Sequence, residues 1–589
     1  MDRFLLRILI SLLLIIFCSS PSFAQPKIFN SKVPVMPVED IKAGMEGVAY
    51  TVIKGQKVVA FPVKVLSVLP SADLPHKLIL IQAYGPVIEK TGGIAAGMSG
   101  SPVFINGKLV GAIGYGWHFS EHNKGLVTPI SEMASIWNWP DRAVELKGPI
   151  KISIESSDEK KESNAKKAGN LSTPMTIYGL SDRGASGIGQ KLNVSYSMLP
   201  GSFNVSSLPV NLNAKLIPGD AVSVLLAWGD VSVAATGTLT ALSTDGRFLA
   251  FAHPFLNRGA VYYPVAKAWI HDVIPSLEAP FKIGTPTEIV GVVTQDRPQA
   301  IGGYLGKIPP AFDFSLSMKD KDTGKVVKKR FQFVNDPFLL SNLLDNILVG
   351  LWDNIWERKG EGTAKVDLEI EGGSLVDGWR RSNIFYSDKD LGKDMFSEAI
   401  DITKAIMLNP YYEINPFGVH IDVEVTQEPR ILLIEGLTVP KEPLKPGEPF
   451  EITVKMRPFR GRAVEKKFVL NMPEDAVGTY EVVVRGGGIE EPSQESLLQG
   501  WRAITDLKEL LRELDSMEAN NELVVELRYD GSPNRAPWEA KAEEQDKRLL
   551  SEIKKEKMEK GLLKVYKSNY YVDGLLRKLV KVSGKQRNN

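Results

Sequence analysis

A serine among small residues is the strongest chemical feature of this sequence. The segment 97–102 reads GMSGSP, so Ser99 has a glycine two positions before it and another directly after it. Gly97 permits a tight turn in which the amides of residues 97 and 99 point into one space and could hold the oxyanion of a tetrahedral intermediate. Gly100 leaves room for a scissile carbonyl, and Pro102 fixes the start of the next strand. The pattern favours acyl transfer with Ser99 as nucleophile; a turn that only joins two strands is the alternative.

A serine hydroxyl needs a base within hydrogen-bond reach before it becomes a good nucleophile. Of the six histidines in the chain, His253 is the preferred base, because it follows the strand-like run 248–252 and would lie at a barrel rim. A buried structural histidine next to a proline is its alternative role, and His118 is a second candidate for the base. His118 and His122 also have the i, i+4 spacing of a metal pair beside Glu121, but the order HExxH is missing. We therefore expect neither a metal nor a cofactor.

The surroundings of Ser99 resemble those of the SpoIVB-type peptidases of family S55. Residues 90–103 read KTGGIAAGMSGSPV and residues 106–112 read NGKLVGA, which is a long and specific pattern. The resemblance extends over 44–130, and the spacing GxSGxP is also that of chymotrypsin-like serine peptidases. It implies that Ser99, not Ser101, is the nucleophile of a serine peptidase.

A second segment, 251–259, reads FAHPFLNRG and is similar to the histidine motif of the same family. This resemblance implies that His253 is the base. In the sporulation peptidase the histidine precedes the serine, whereas here Ser99 comes first. The geometry of a catalytic triad does not depend on chain order, so two β units could still face each other across one cleft.

The third catalytic residue is the point at which the resemblance is incomplete. The acid of the family precedes its serine, but the stretch 83–90 contains no aspartate. Asp296 is the preferred orienter of the base, because it follows His253 by about 45 residues, as in the chymotrypsin order, and lies in a segment similar to the family. An ion pair with Arg297 is the alternative role of Asp296, and Glu89 is an alternative acid.

The elements that must position these residues are mainly strands. Residues 36–140 and 176–335 alternate β-branched runs with turn signals, and Asn106-Gly107 predicts a tight hairpin. Asp336-Pro337 predicts the start of an apolar helix that ends at Trp356. We predict a mainly β protein, in which a chymotrypsin-like double β-barrel peptidase module of permuted order is followed by helices and a β-sandwich.

The predicted domains follow from these patterns and from changes in composition. In chain order they are a signal peptide at 1–24, a first S55-like β unit with the serine motif at 25–140, a linker at 141–175, a second S55-like β unit with the histidine motif at 176–335, a helical or mixed segment at 336–417, a β-sandwich at 418–490, and an α/β element with a basic tail at 491–589.

The N-terminus predicts export to the periplasm or the extracellular space. Arg3 and Arg7 precede an apolar run at 8–17, which is followed by the small-x-small site at 22–24. The apolar run is shorter than the roughly 20 residues that span a bilayer, which speaks against a retained anchor. The one cysteine, Cys18, lies in this segment, so the mature chain would have no disulfide and no thiol chemistry.

The sequence thus favours an exported serine endopeptidase that cleaves protein or peptide substrates by a Ser-His mechanism. A formal net charge of +1 gives no general attraction for nucleic acid, and association with the cell envelope remains an option. The first alternative is an inactive S55-like envelope protein that binds peptides or partners, which the missing aspartate favours. The second is a structural protein that works through its C-terminal sandwich.

Overall fold

The structure is a computed structural model that describes residues 29–140, 169–170, 175–194, 196–198, 208–373, 375–415, 417–489, 504–529 and 549–583 of the 589 residues. The predicted signal peptide and most of the predicted linker lie outside the described residues. Within the described part, no helix has both the length and the apolar character needed to cross a membrane.

The first β unit is a closed six-stranded barrel. Its strands are β1 (Glu46–Val52), β2 (Val58–Pro70), β3 (Lys77–Ala83), β4 (Pro102–Ile105), β5 (Lys108–Gly116) and β6 (Lys124–Pro129). They pair in the order β4-β1-β2-β3-β6-β5, and β4 pairs with β5 to close the circuit. The predicted hairpin at Asn106-Gly107 joins β4 to β5, and both residues have positive φ, at 50° and 74°. This hairpin prediction is confirmed.

One short helix precedes the serine motif, and another follows the last strand of the barrel. Helix α1 (Pro86–Thr91) precedes the serine motif, and α2 (Ile130–Ala134) follows β6 and continues into a 3-10 turn at Ser135–Asn138. The two-residue strand β7 (Gly169–Asn170) pairs with β5. The serine motif therefore lies in the connection between α1 and β4.

The second β unit contains another closed circuit of six strands. It begins with β8 (Met175–Tyr178), α3 (Asp182–Leu192) and β9 (Tyr196–Met198), and the circuit consists of β10 (Ala221–Gly229), β11 (Ser232–Leu242), β12 (Arg247–Ala250), β13 (Gly259–Ile274), β14 (Phe281–Arg297) and β15 (Ala300–Leu305). The order is β10-β13-β14-β15-β12-β11, and β10 also pairs with β11. The prediction of a mainly β fold with β-barrel units is confirmed.

The sheet of the second barrel continues well past the predicted boundary at residue 335. Its further elements are β16 (Ala311–Asp320), β17 (Val326–Val334), α4 (Pro337–Trp356), β18 (Gly362–Gly372), β19 (Leu375–Ser387), α5 (Leu391–Met407) and β20 (Phe417–Thr426). Asp336 caps α4 by accepting from the Leu339 amide at 3.0 Å, as the sequence predicts. Strand β20 pairs with β16 and β18, so it belongs to this sheet and not to the C-terminal sandwich in which we placed it. A period of two reveals one buried face but not the sheet that the strand joins.

The C-terminal sandwich also differs from its predicted extent of 418–490. One sheet has the order β23-β22-β21-β27 and the other β26-β25-β24-β28. Its elements are β21 (Ile431–Thr438), β22 (Pro449–Pro458), β23 (Val464–Asn471), β24 (Thr479–Gly486), α6 (Leu507–Ser516), β25 (Glu522–Tyr529), α7 (Leu550–Glu559), β26 (Leu563–Lys567), β27 (Tyr571–Asp573) and β28 (Leu575–Lys581). The stretch interpreted as a basic tail thus completes the sandwich. Each of its buried residues Leu563, Val572 and Val580 is followed by an exposed charged residue, and these charges hide the strand pattern.

Candidate active site

The two barrels meet at the segment that leads into Ser99. The amide of Ala96 donates to the Pro280 carbonyl at 2.7 Å, and the Ala96 carbonyl accepts from the Lys282 amide at 2.9 Å. Further along, a Cβ on Gly100 would lie 2.0 Å from the Thr238 carbonyl oxygen. The start of β14 and the middle of β11 therefore contact the serine turn directly, and only glycine fits at position 100.

Strand β11 of the second barrel binds three carbonyls of the serine turn. The Thr238 hydroxyl donates to the Gly97 carbonyl at 3.1 Å, and the Thr238 amide donates to the Ser99 carbonyl at 2.8 Å. The Thr240 hydroxyl donates to the Gly100 carbonyl at 2.7 Å. The second barrel therefore contributes three of the hydrogen bonds that hold the turn in the first barrel.

The amides of this turn divide into two groups. Three of them donate to backbone carbonyls, namely those of Met98, Gly100 and Ser101. Within the described part of the chain, the amides of Gly97 and Ser99 form no hydrogen bond. Gly97 has φ of 90°, which favours glycine. Two neighbouring donors without acceptors are what an oxyanion-binding site requires.

The hydroxyl of Ser99 is completely buried. Its Oγ atom, like that of Ser101, makes no hydrogen bond to any residue that the structure describes. A buried hydroxyl without a partner costs about 1–3 kcal/mol. The hydrogen bond from Ser99 to His253 that the sequence analysis requires is therefore not formed in this structure. Catalytic hydrogen bonds are often long or misaligned before substrate binds. The missing hydrogen bond alone therefore does not decide whether His253 is a base or a structural residue.

His253 lies in the loop after β12, and this loop is held against the first barrel. The Ala252 carbonyl accepts from the Thr128 hydroxyl at 2.7 Å, and Tyr115 makes an edge contact with the imidazole at 6.4 Å between ring centroids. Phe251 and Ala252 both have left-handed φ, at 68° and 58°. Such conformations cost free energy in non-glycine residues and persist only where the surroundings enforce them. Thr128 and Tyr115 both belong to the first barrel and supply part of that enforcement.

One residue connects the serine turn to the histidine loop. The Thr238 amide donates to the Ser99 carbonyl, and the Thr238 carbonyl accepts from the Phe251 amide at 3.3 Å. Phe251 is two residues before His253. The structure thus brings the sequence-predicted serine and histidine into the same region between the barrels.

The protonation of His253 follows from its surroundings. Burial lowers the pKa of its imidazole to about 4, so the ring is neutral at pH 7. Its Nδ1 lies 2.6 Å from the carbonyl oxygen of Pro254. Because a carbonyl can only accept, Nδ1 carries the proton and the lone pair is on Nε2. A general base that acts on a serine needs this tautomer.

Asp296 has a different place from the one that its spacing suggested. Its buried carboxylate accepts from the amides of Phe255, Leu256 and Arg258 at 2.7, 2.9 and 3.2 Å. Burial raises the pKa of this carboxyl above its usual value, although the amide hydrogen bonds act in the opposite direction. Asp296 therefore organises the loop after His253, and the Pro254 carbonyl takes the Nδ1 position that we expected Asp296 to take. Chain spacing cannot distinguish these two arrangements.

Lys282 is a buried residue of this region that the sequence analysis did not assign to the site. Its Nζ donates to the hydroxyls of Thr51 at 2.8 Å and Thr238 at 3.4 Å. Burial lowers the pKa of its ammonium group to about 7. In the sequence, Lys282 stands between Phe281 and Ile283, and a strand with that alternation is expected to point its lysine towards solvent. The inward direction comes from the docking of the barrels, which the sequence pattern does not contain.

The other candidates are exposed or have structural contacts. His118 and Glu89 are exposed. His122 is buried, with Nε2 3.3 Å from the Leu277 carbonyl oxygen. The described residues contain no group of three or more side chains that could hold a metal ion.

Comparison with known proteins adds a family to this geometry. No curated protein and no solved structure matches the chain. The family model of the SpoIVB peptidase S55 matches residues 14–134, a segment that contains Gly97 and Ser99 but ends before His253. The resemblance of the serine region to family S55 is confirmed, and the match supports a peptidase at the level of the family.

Proposed function

We propose that this chain is an exported serine endopeptidase of the S55 type, which cleaves protein or peptide substrates with Ser99 as nucleophile and His253 as base. The observation that carries the proposal is the pair of Gly97 and Ser99 amides without acceptors, next to the hydroxyl of Ser99. Export rests on the pattern of the N-terminal sequence alone.

The proposed reaction begins with a neutral His253 imidazole and a protonated Ser99 hydroxyl. The Oγ of Ser99 attacks the substrate carbonyl carbon, and its proton passes to Nε2 of the neutral His253. The oxyanion that forms is held by the amides of Gly97 and Ser99. His253 then returns the proton to the leaving amine, and water hydrolyses the acyl-enzyme by the same route.

The third catalytic group in this proposal is a backbone carbonyl. The Pro254 carbonyl accepts from Nδ1 and keeps His253 in the required tautomer. Asp296 supports that carbonyl indirectly, because it binds the amides of the residues that follow. A neutral carbonyl stabilises an imidazolium less than a carboxylate does, so we expect slower turnover than from a Ser-His-Asp triad.

An inactive peptide-binding protein is the second candidate. It is favoured by the hydrogen bond that Ser99 does not make to any described residue, and by the neutral Pro254 carbonyl that lies at Nδ1 of His253. In this case the site between the barrels would hold a peptide without cleaving it.

Labelling with an alkyl fluorophosphonate separates the two candidates. The peptidase proposal predicts that the wild type gains the mass of one phosphonyl group, that Ser99→Ala gains none, and that Ser101→Ala reacts like the wild type. Intact-mass spectrometry measures this directly. Absence of labelling in the folded wild type would leave the binding protein as the better account.

The chain offers a matched control in the part of the large sheet that lies outside the second barrel. Ser315 Oγ lies 2.7 Å from Nδ1 of His420, whose Nε2 lies 3.0 Å from a Glu371 oxygen. Ser315 is in the middle of β16, paired on both sides, so it has no turn with two available amides. Ser315→Ala should label like the wild type, since a Ser-His contact without an oxyanion site is not enough for acylation.

A further inference from the structure

Lys282 joins both barrels at the serine turn. It lies near the start of β14, and its Nζ binds Thr51 of β1 and Thr238 of β11. Its aliphatic stem packs on Gly97, since a Cβ at that glycine would lie 3.1 Å from both the Cβ and the Cδ of Lys282. The side chain is fully buried.

An amine at this position is a cost to the stability of the fold. Burial lowers the pKa of Lys282 to about 7, and its hydrogen-bond partners in the described part of the chain are hydroxyls. A methionine would fill a similar volume without the cost of removing a charge from water. The lysine therefore does not stabilise the fold, and its role lies in the groups that its hydrogen bonds orient.

The hydrogen bonds of Lys282 and Thr238 fix successive peptide planes of the serine turn. The Lys282 amide donates to the Ala96 carbonyl at 2.9 Å, and in a planar trans peptide this turns the Gly97 amide in the opposite direction. The next carbonyl, that of Gly97, accepts from the Thr238 hydroxyl, which in turn accepts from Nζ of Lys282. The Met98–Ser99 peptide plane is held by the Ser101 amide, which donates to the Met98 carbonyl at 2.9 Å. This hydrogen bond sets the direction of the Ser99 amide.

The Nζ of Lys282, through the Thr238 hydroxyl, therefore holds the Gly97–Met98 peptide plane, which lies between the planes that carry the Gly97 and Ser99 amides. We infer that Lys282, acting through Thr238, is a positioning residue that fixes this intervening plane and so keeps the Gly97 and Ser99 amides turned towards the oxyanion, so that the oxyanion site exists only while the two barrels are docked. This inference rests on the proposed peptidase function. It assigns Lys282 no contact with the substrate and no proton transfer with Ser99.

Thr238→Val and Lys282→Met test the inference. Each removes one member of the hydrogen-bond relay that runs from Nζ of Lys282 through the Thr238 hydroxyl to the Gly97 carbonyl, while keeping most of the side-chain volume. Loss of one oxyanion donor typically lowers kcat by about 100-fold or more. We expect both variants to lower the rate of fluorophosphonate labelling by about 100-fold, and peptide hydrolysis to lose kcat with KM nearly unchanged. Thr238→Ser, which keeps the hydroxyl, should restore the wild-type rate.

Thr236→Val is the matched control on the same strand. Thr236 is also buried, but its hydroxyl bonds Ser223 at 2.8 Å within the second barrel. This variant should lower the labelling rate by less than about threefold, since it leaves the serine turn intact. Lys282→Met should have a Tm equal to or above that of the wild type, which a purely structural lysine would not show.

Hydrogen exchange of the segment 95–101 gives a readout that does not need activity. Faster exchange in Thr238→Val and Lys282→Met than in Thr236→Val supports the positioning role, even if the wild type labels with nothing and the peptidase proposal fails. Equal exchange in all three variants would overturn it. The inference is also overturned if Lys282→Met abolishes labelling while Thr238→Val reacts normally, because Lys282 would then act on Ser99 without the relay.

Discussion

At the scale of single residues, the site combines a buried serine hydroxyl with a neutral buried imidazole. The pattern around Ser99 and the strand end before His253 are local, so the sequence predicts both residues as candidates. The roles of Asp296 and Lys282 depend on which groups the docked barrels bring close, and no spacing contains that information. Asp296 binds backbone amides, and Lys282 binds hydroxyls from both barrels.

The buried imidazole predicts a dependence of stability on pH. Burial lowers the pKa of His253 from its ordinary value of 6.5 to about 4, so between these values the unfolded chain binds a proton that the folded chain does not. The stability contributed by this group is complete above pH 6.5 and is lost as the pH falls towards 4, by about 3 kcal/mol at most.

Urea unfolding at pH 7.5 and pH 4.5 measures this effect. His253→Gln has no titrating group at the position, so its free energy of unfolding should fall by about 2 kcal/mol less than that of the wild type over this range. Equal losses in the two proteins would mean that the imidazole is not held neutral in the folded state.

At the scale of the elements, close approach of the serine turn to β11 requires a glycine. A Cβ on Gly100 would meet the Thr238 carbonyl at 2.0 Å and the Phe251 amide at 2.5 Å. We expect Gly100→Ala to lower the free energy of unfolding by more than about 3 kcal/mol, because the turn and the strand must separate.

Gly107→Ala controls for the cost of left-handed backbone alone. Gly107 has φ of 74° in the adjoining hairpin, and a Cβ there would meet nothing within 4 Å. This variant should cost about 1 kcal/mol in the same urea titration. Similar losses for the two variants would show that the contact between the barrels is looser than the structure has it.

The sequence predicted elements well where the signal was local, and less well where it was not. The hairpin at Asn106-Gly107 and the helix that begins at Asp336-Pro337 are set by turn and cap chemistry. The strand Phe417–Thr426 was assigned to the wrong sheet, because its alternation of buried residues is the same whichever neighbour it pairs with.

At the scale of the whole molecule, the candidate site lies between two closed barrels, and the sheet of the second barrel continues into a larger β framework. Helices α4 and α5 and strands β16 to β20 share one buried core with the second barrel. The catalytic requirement that a serine and a histidine meet predicted the docking of two β units. The extension of the second sheet to residue 426 and the completion of the sandwich by residues 504–583 depend on long-range strand pairing, which composition and periodicity do not specify.

A crystal structure of the protein after reaction with an alkyl fluorophosphonate tests the central claim most directly. The account predicts a bond between phosphorus and Oγ of Ser99, a phosphonyl oxygen within hydrogen-bond distance of the Gly97 and Ser99 amides, and the ring of His253 facing the modified serine. Phosphorus on another side chain, or a phosphonyl oxygen that points away from both amides, would contradict it.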